Sequence, residues 1–251
     1  MTKRFPSSLA AAILFFVGAT VLPHGVFRGL AAEPGKPAPT VKADRWEPAI
    51  RAFEAKDRKQ APAKGGIVFV GSSSIVLWDL TKSFPDLDAI NRGFGGSQLA
   101  DSVRYANRIV IPYEPRIVVL YAGDNDLASG KTPQRVVDDY RRFVDVIHGA
   151  LPKTKILYIG IKPCKARWKR IDEVREANRL IAEFAAKDPR LVFIDVDKPM
   201  LGADGMPRPE LFKSDNLHLN AEGYRLWAGL VGPHLKEKPA HGVQENPDAR
   251  R

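Results

Sequence analysis

The chain has 251 residues, of which 44% are hydrophobic and 27% are charged. That length and composition are typical of one globular domain with tails, and they exclude a disordered or fibrous protein. The formal net charge is +10, yet the basic residues are spread along the chain without a finger, a basic-region helix or an aromatic RNA-binding motif, so we expect no nucleic-acid partner.

The amino terminus has the pattern of a secretory signal peptide. Lys3 and Arg4 precede an apolar run over residues 9–22 that is too short to span a bilayer, and small residues at 29–32 offer a cleavage site. We therefore predict a signal peptide over residues 1–32. The mature protein is expected to be exported, to the periplasm or outside the cell, with no stable membrane span after cleavage. An uncleaved anchor and a chance apolar terminus are the alternatives.

The rest of the chain divides into a linker, one domain and a tail. Residues 33–45 are polar and rich in proline and predict an extended linker. Residues 46–236 predict the folded domain, and residues 237–251 predict a polar, disordered tail. The single cysteine, Cys164, excludes an internal disulfide and is interpreted as incidental, so the stability of the domain rests on its apolar core.

Apolar runs alternate with amphipathic stretches throughout the domain. Strands are predicted over residues 67–70, 89–91, 116–122, 155–160 and 191–195. Helices are predicted over residues 46–59, from residue 75, and over residues 99–111, 133–150, 168–187 and 220–235. This alternation predicts a parallel sheet with helices on both faces.

Four short polar motifs accompany these runs. The first three follow predicted strands, and the fourth lies before the last predicted helix. Because parallel strands end at one edge of the sheet, where open α/β proteins bind their ligands, we expect the four motifs to lie together. In chain order they are Gly71-Ser72-Ser73, Gly93-Phe94-Gly95-Gly96, Gly123-Asp124-Asn125-Asp126 and Asp215-Asn216-Leu217-His218.

The motifs contain the groups that acyl transfer needs. A serine hydroxyl is a poor nucleophile without an adjacent base, which His218 would provide for Ser73. Asp215 would orient the imidazole and stabilise its positive charge. The N–H groups of Ser73 and Gly96 and the side-chain amide of Asn125 are candidate oxyanion donors. Taken singly, these residues have ordinary explanations as caps or turn residues, but together they predict a catalytic site.

In these motifs the chain resembles the SGNH (GDSL-like) hydrolases, whose four blocks are matched in order over residues 64–235. The resemblance implies a flavodoxin-like, three-layer α/β/α sandwich with a five-stranded parallel sheet. The site residues it implies are the nucleophile Ser73, the triad partners Asp215 and His218, and the oxyanion-hole residues Gly96 and Asn125.

Two details depart from the usual family pattern. Ser72 occupies the position where the family has an aspartate. That aspartate is not the triad acid, so we expect activity to be kept. In the second block, Gly93 and Gly95 compete with Gly96 for the oxyanion role, and Gly96 is the best aligned.

A basic loop follows the fourth predicted strand and should overhang the site. Residues 162–170 include five cations and one tryptophan, and Arg92 adds a cation at the same edge. The candidate substrate contacts are Lys165, Arg167 and Trp168 in this loop and Trp78 after the first strand. A solvated helix start, and a core position for Trp78, are the alternatives.

The sequence predicts an exported serine esterase for short, acetyl-type esters, with carbohydrates among the candidate alcohol partners. No long apolar insertion provides a groove in which each buried methylene would gain roughly 0.8 kcal/mol. A lysophospholipase or thioesterase for longer chains and a catalytically silent binding domain are the alternatives. The histidines lack metal-ligand spacing and one cysteine cannot build a thiolate zinc site, so no metal or other cofactor is expected.

Overall fold

The computed structural model describes residues 44–236. The predicted signal peptide, most of the predicted linker and the predicted tail lie outside the described residues. Strands and helices alternate along the described part of the chain, as predicted. Within residues 44–236, no helix is both long enough and apolar enough to cross a membrane.

The described residues form strands, α-helices and short 3₁₀ turns. The strands are β1 (Ile67–Gly71), β2 (Ala89–Gly93), β3 (Ile117–Tyr121), β4 (Lys155–Ile159) and β5 (Leu191–Ile194). The helices are α1 (Glu47–Lys59), α2 (Ser73–Val76), α3 (Leu80–Ser83), α4 (Leu99–Ile109), α5 (Asp124–Ala128), α6 (Pro133–Ala150), α7 (Ile171–Ala185) and α8 (Ala221–Leu235). The 3₁₀ turns are Ile111–Tyr113, Lys165–Arg170, Lys198–Met200 and Pro209–Leu211.

The five strands form one parallel sheet in the order β2-β1-β3-β4-β5. The chain passes from β1 to the edge strand β2 and then returns to the other side of β1 with β3. Gly71, the last residue of β1, is level with Gly93 of β2 and with Tyr121 of β3. Open α/β sheets bind ligands where the winding reverses, beyond the carboxyl ends of the strands. The loops after β1 and β3 lie at this reversal.

The sheet is buried on both faces. In β1, Val68 and Val70 belong to one apolar cluster, which also takes in α1, α4, α6 and α7. Ile67 and Phe69 belong to a second cluster, which takes in α2, α3 and α8. Successive strand residues point to opposite faces, so each strand contributes to both clusters. The three-layer α/β/α sandwich with a five-stranded parallel sheet is therefore confirmed.

Local signals explain where several helices begin. The Thr132 hydroxyl accepts a hydrogen bond from the Arg135 N–H at the start of α6, where Pro133 needs no donor of its own. The Asn220 side chain caps α8 by accepting from the N–H groups of Glu222 and Gly223.

Three predicted helices differ from the observed ones by more than one residue. The helix predicted from residue 75 begins at Ser73 and is a single turn that ends at Val76. The helix predicted over 99–111 ends at Ile109, because the backbone leaves the helical region at Val110 before the 3₁₀ turn that contains Pro112. The helix predicted over 168–187 begins at Ile171, because the residues before it form a separate 3₁₀ turn with non-helical backbone angles at Arg167.

Candidate active site

The turn after β1 presents Ser73 at the edge of the sheet. Gly71 has φ +137°, and a Cβ at this residue would lie 1.9 Å from the carbonyl oxygen of Tyr121 on β3. Only glycine fits between the two strands in this backbone conformation. The Ser72 N–H donates to the same Tyr121 carbonyl at 2.9 Å, and Ser73 then begins α2. The sharp turn therefore brings the Ser73 hydroxyl out at the point where the winding reverses.

Ser73, His218 and Asp215 form one line of hydrogen bonds. The Ser73 Oγ lies 3.0 Å from His218 Nε2, and His218 Nδ1 lies 2.6 Å from Asp215 Oδ2. A carboxylate beside Nδ1 favours the tautomer that carries its proton there and leaves Nε2 free to accept the serine proton. The structure thus brings together the three side chains that the sequence predicted as a triad.

The loop before α8 fixes the Asp215 carboxylate. Its Oδ1 accepts from the backbone N–H groups of Leu217 and His218, both at 2.9 Å. The hydrogen bond from the His218 side chain, followed by these two backbone bonds, holds the pKa of Asp215 well below its usual range. The loop is closed by a bond from the Lys213 N–H to the His218 carbonyl at 2.8 Å. Asp215 is therefore ionised and oriented before any substrate binds.

The candidate oxyanion donors lie on the neighbouring loops. Gly96 has φ +74°, and its loop is tied to β1 by the bond from the Phe94 N–H to the Gly71 carbonyl. Asn125 Nδ2 donates to the Ser97 carbonyl at 3.0 Å, which joins the loop after β3 to the loop after β2. Among residues 44–236, the backbone N–H groups of Ser73 and Gly96 have no acceptor, so both are available to a ligand.

Of the two other glycines that the sequence offered for the oxyanion hole, Gly93 is less suited to that role than Gly96. Gly93 is the last residue of β2, and its N–H already donates to the Asn91 side chain at 2.9 Å. Gly95 resembles Gly96 in that its N–H has no acceptor within the described residues.

Two residues immediately before α1 form hydrogen bonds to the loop after β2. Trp46 Nε1 donates to the Gly95 carbonyl at 3.0 Å, and Arg45 donates to the Gly96 carbonyl at 3.3 Å. The Arg45 guanidinium also lies over the Trp46 ring, 4.1 Å from its centroid. We call Arg45 and Trp46 the amino-terminal clamp. Because it engages the carbonyl groups of the loop, the clamp favours an orientation in which the N–H groups stay free.

A buried lysine lies directly behind the serine turn. The Lys162 side chain is fully buried, and its Nζ donates to Ser74 Oγ at 3.2 Å, to the Tyr121 hydroxyl at 2.9 Å and to Asp124 Oδ2 at 3.2 Å. Burial alone would raise the pKa of Asp124, but the charges of Lys162 and Arg167 outweigh burial and lower it. An ammonium and a carboxylate therefore join the ends of β1, β3 and β4.

The predicted substrate contacts are only partly supported. Trp78 is 3% exposed and packs against Phe69, Tyr224 and Trp227, so it is a core residue and does not line the site surface. Lys165 is exposed, whereas Trp168 is half-buried. Arg167 does reach the site, where its Nη2 donates to Asn125 Oδ1 at 2.8 Å.

Two of the cations that were predicted to lie over the site, Lys162 and Arg92, are buried instead. Lys162 is buried behind the serine turn, as described above, and Arg92 is 3% exposed. The Arg92 guanidinium bonds to the Asp57 carboxylate at 2.6 Å and to the Tyr113 hydroxyl at 3.1 Å. Both side chains can be buried because their N–H groups donate to buried or partly buried oxygen atoms.

The sequence prediction missed the role of Asp126. Its carboxylate is fully buried and accepts from the Leu99 N–H, the first of α4, at 3.2 and 3.3 Å. Burial raises its pKa, although Lys131, at 2.8 Å, opposes that effect. Asp126 thereby ties the loop of Asn125 to the helix that follows Gly96. The one sequence signal was its place beside Asn125 at the end of a buried strand.

Comparison with known proteins places this fold and its motifs in context. The model of the GDSL-like Lipase/Acylhydrolase family matches residues 73–226. Human platelet-activating factor acetylhydrolase IB subunit alpha1 is 28% identical over 202 residues, which cover 75% of this chain and 83% of the human protein.

Solved structures show the same fold. A GDSL-like lipase from Bacteroides thetaiotaomicron superposes with a TM-score of 0.63 at 21% identity, covering 74% of this chain and 96% of the lipase. A catalytic mutant of an acetylxylan esterase from Geobacillus stearothermophilus gives a TM-score of 0.56 at 13% identity, covering 72% of this chain and 98% of the esterase.

Proposed function

Since the chain belongs to the GDSL-like lipase/acylhydrolase family of carboxylic ester hydrolases, we propose that it is an exported serine esterase for short, acetyl-type esters. The observation that carries the proposal is the line of hydrogen bonds from Ser73 Oγ through the His218 imidazole to the Asp215 carboxylate. The backbone N–H groups of Ser73 and Gly96, which have no acceptor within residues 44–236, belong to loops at the same edge of the sheet, where such folds bind ligands.

In the proposed mechanism Ser73 is the nucleophile. Its Oγ bonds to the carbonyl carbon of the ester while its proton passes to His218 Nε2. The carbonyl oxygen becomes an oxyanion that accepts from the N–H groups of Ser73 and Gly96 and from Asn125 Nδ2. Asp215 stabilises the imidazolium that forms. Collapse of the tetrahedral intermediate breaks the bond to the alcohol oxygen, which takes the proton from Nε2.

The second half of the reaction frees the acyl group. A water molecule gives a proton to His218 Nε2 as its oxygen bonds to the acyl carbon. The same donors receive the second oxyanion, and the carboxylic acid leaves as Ser73 Oγ takes its proton back. Every proton in this cycle passes through Nε2, so one imidazole acts as the base and then the acid in both halves of the reaction.

Acetyl-type substrates are proposed because the apolar surface beside Ser73 is small. Val76 and Leu77 are exposed large hydrophobic residues within a few residues of Ser73, and they can contact a short acyl group. The human relative is by name an acetylhydrolase, and the Geobacillus protein is an acetylxylan esterase. The latter name, together with the half-buried Trp168 near the site, supports a carbohydrate ester as substrate.

The test of this function is a series of p-nitrophenyl esters with acetyl, butyryl and octanoyl groups. We expect kcat/KM to be highest for the shorter acyl groups, because within the described residues the exposed large hydrophobic side chains close to Ser73 in sequence are those of Val76 and Leu77, whereas a longer chain needs more apolar surface to gain roughly 0.8 kcal/mol per methylene. Ser73→Ala, which lacks the attacking oxygen, is the control and should lose activity by several powers of ten. A steady rise of kcat/KM toward octanoyl would instead support a lysophospholipase or thioesterase.

A labelling experiment separates an esterase from a silent binding domain. A fluorophosphonate probe should modify Ser73, because the hydroxyls of Ser72 and Ser74 belong to fully buried side chains. No labelling of the intact protein would favour a binding domain, and an adduct mapped to Ser72 or Ser74 would contradict the assignment of the nucleophile.

Export is proposed from the signal-peptide pattern of residues 1–32 alone. Amino-terminal sequencing of the protein from the exported fraction should show a chain that begins after Ala31 or Ala32. Recovery of the intact chain from the cell interior would contradict it.

A further inference from the structure

We propose that Arg167 is a positioning residue that locks the Asn125 side-chain amide in the orientation needed to bind the oxyanion. The proposal rests on the function proposed above. It replaces the sequence expectation that Arg167 contacts the substrate. The amide is bonded at both ends, by Arg167 and by Ser97, and Arg167 lies against the buried Asp124 carboxylate.

The two ends of the Asn125 amide have different partners. Oδ1 accepts from the guanidinium of Arg167 at 2.8 Å, while Nδ2 donates to the Ser97 carbonyl at 3.0 Å. Rotating the amide by 180° would bring its NH₂ group against a guanidinium N–H and its oxygen against a carbonyl oxygen. Both new contacts would be repulsive, so the two partners together select one orientation.

This orientation leaves one donor for the reaction. An amide NH₂ group has two N–H donors, and Ser97 takes one of them. The second N–H of Asn125 has no acceptor within residues 44–236 and is the donor that the oxyanion would engage. Without Arg167, only the Ser97 contact would hold the amide, and an oxyanion donor that is not fixed in advance contributes less to catalysis.

Arg167 is itself held from behind. Its Nη1 lies 3.3 Å from Asp124 Oδ2, the same oxygen that receives a hydrogen bond from the fully buried Lys162. The Lys162 ammonium has three N–H donors and makes three contacts, with Ser74, Tyr121 and Asp124. Lys162 is thus fully engaged. Asp124 accepts from the backbone N–H of Asn125 at 2.9 Å, and Arg167 is the member of this cluster that reaches the Asn125 side-chain amide.

The cluster also carries a net positive charge. It consists of two cations, Lys162 and Arg167, and one carboxylate, Asp124. Because Arg167 is bonded to the amide oxygen, its charge polarises the amide and makes the free N–H a stronger donor. Arg167 thus both orients and polarises the amide, and because both effects act through Asn125, removing Arg167 should matter only while Asn125 is present.

The test is a double-mutant cycle of Arg167→Met and Asn125→Ala, measured as kcat and KM on p-nitrophenyl acetate. We expect Asn125→Ala to lower kcat by about 10²–10³, the usual cost of one oxyanion donor. Arg167→Met alone should lower kcat by about tenfold with KM nearly unchanged. In the Asn125→Ala background the same change should cost less than about twofold, since residues that act through one another are not additive.

The matched control is Arg179→Met. Arg179 is a half-exposed arginine on α7 that pairs with Glu176 and Glu183 and has no contact with the site. It should leave kcat and KM unchanged. If Arg167→Met does not fold, as judged by its thermal transition, Arg167→Lys serves in its place. A lysine can reach one partner but cannot bridge Oδ1 and Asp124, so a smaller loss of kcat is expected.

Three results would overturn the proposal. The first is a rise in KM with kcat unchanged, which would make Arg167 a substrate contact. The second is an equal loss in the parent and in the Asn125→Ala background. The third is an unchanged Asn125 side-chain NH₂ signal in the NMR spectrum of folded Arg167→Met. That spectrum needs no turnover, so it tests Arg167 even if the parent hydrolyses no ester and the proposed function fails.

Discussion

Ser73 and His218 are 145 residues apart along the chain, and only the shared edge of the sheet brings Oγ and Nε2 within 3.0 Å. Ser73 is held by the turn after β1, whereas His218 is held by backbone bonds within its own loop. Each residue therefore has backbone bonds in its own segment in addition to the side-chain hydrogen bond between them. The arrangement is therefore set before substrate binds, which is the condition for efficient proton transfer.

The pH dependence of activity belongs to these residues. Only a neutral imidazole can accept the Ser73 proton, so kcat/KM should fall on acidification as His218 becomes protonated. The pKa of Asp215 is lowered, mainly by its hydrogen bond from His218, so this carboxylate stays ionised while the imidazole is protonated. We expect log kcat/KM for p-nitrophenyl acetate to fall on acidification with a limiting slope of about one. A flat profile would contradict the role of His218, and a slope of two would show that a second group titrates with it.

At the scale of elements, the junction between β1 and β3 determines where the site forms. Gly71 lets the two strands stay paired up to the turn, since its missing Cβ leaves room for the Tyr121 carbonyl. The loops after β2 and β3 are then tied to this junction by the bonds of Phe94 and Asn125.

Replacement of Gly71 should therefore destabilise the protein. In Gly71→Ala a methyl group would lie 1.9 Å from the Tyr121 carbonyl oxygen, and the strands would have to separate. We expect a loss of about 3 kcal/mol or more in the free energy of unfolding, measured by urea denaturation.

The control is Gly229→Ala in α8, where a Cβ has no atom within 4 Å. That change should stabilise the protein by roughly 0.5–1 kcal/mol, because alanine favours a helix over glycine. Equal effects of the two replacements would contradict the account of Gly71.

The sequence predicted the strands well and the side-chain directions poorly. The strands β1, β3 and β4 are apolar runs that are almost wholly buried, a pattern typical of a parallel sheet, whereas β2 contains polar residues and is only partly buried. The motifs likewise predicted which loops meet. Whether Lys162, Arg92 and Trp78 point inward depends on partners such as Asp124 and Asp57, which lie far away in sequence. The amino-terminal clamp was missed for the same reason: Trp46 fits the apolar face of α1, and nothing local indicates a bond to Gly95.

At the scale of the whole molecule, charge is distributed unevenly between surface and interior. Many ion pairs are exposed, such as Arg179 with Glu176, and pairs of this kind contribute little to stability. The Lys162–Asp124 pair is buried and joins three strands of the sheet. Its two charges depend on each other, since the Lys162 side chain is fully buried and the Asp124 side chain almost fully.

Loss of one partner of this pair should therefore be costly, and more so at neutral than at acidic pH. Asp124→Asn leaves the Lys162 charge buried, and we expect it to lower the free energy of unfolding by about 3–5 kcal/mol at pH 7. The folded-state pKa of Asp124 is below its unfolded value, which is about 3.9. The contribution of its charge is thus present above that unfolded value and is lost as the pH falls through the folded pKa.

Urea denaturation of the parent and of Asp124→Asn at several pH values tests this. The difference between them should narrow as the pH falls below about 4. Asp138→Asn, which removes the partner of the half-exposed Arg141, should have an effect close to zero at every pH. A difference for Asp124→Asn that stays constant into acid would show that its charge does not stabilise the fold.

The amino-terminal clamp limits how this protein can be shortened or joined to another. A recombinant chain that begins at Asp44 keeps both donors to the Gly95 and Gly96 carbonyls. One that begins at Glu47, the first residue of α1, removes both of them and leaves every strand and helix complete. The loop after β2 thus sets the limit for truncation at the amino terminus, and we expect a fully active chain to need residues 44–46. A fusion partner should therefore be attached before residue 44.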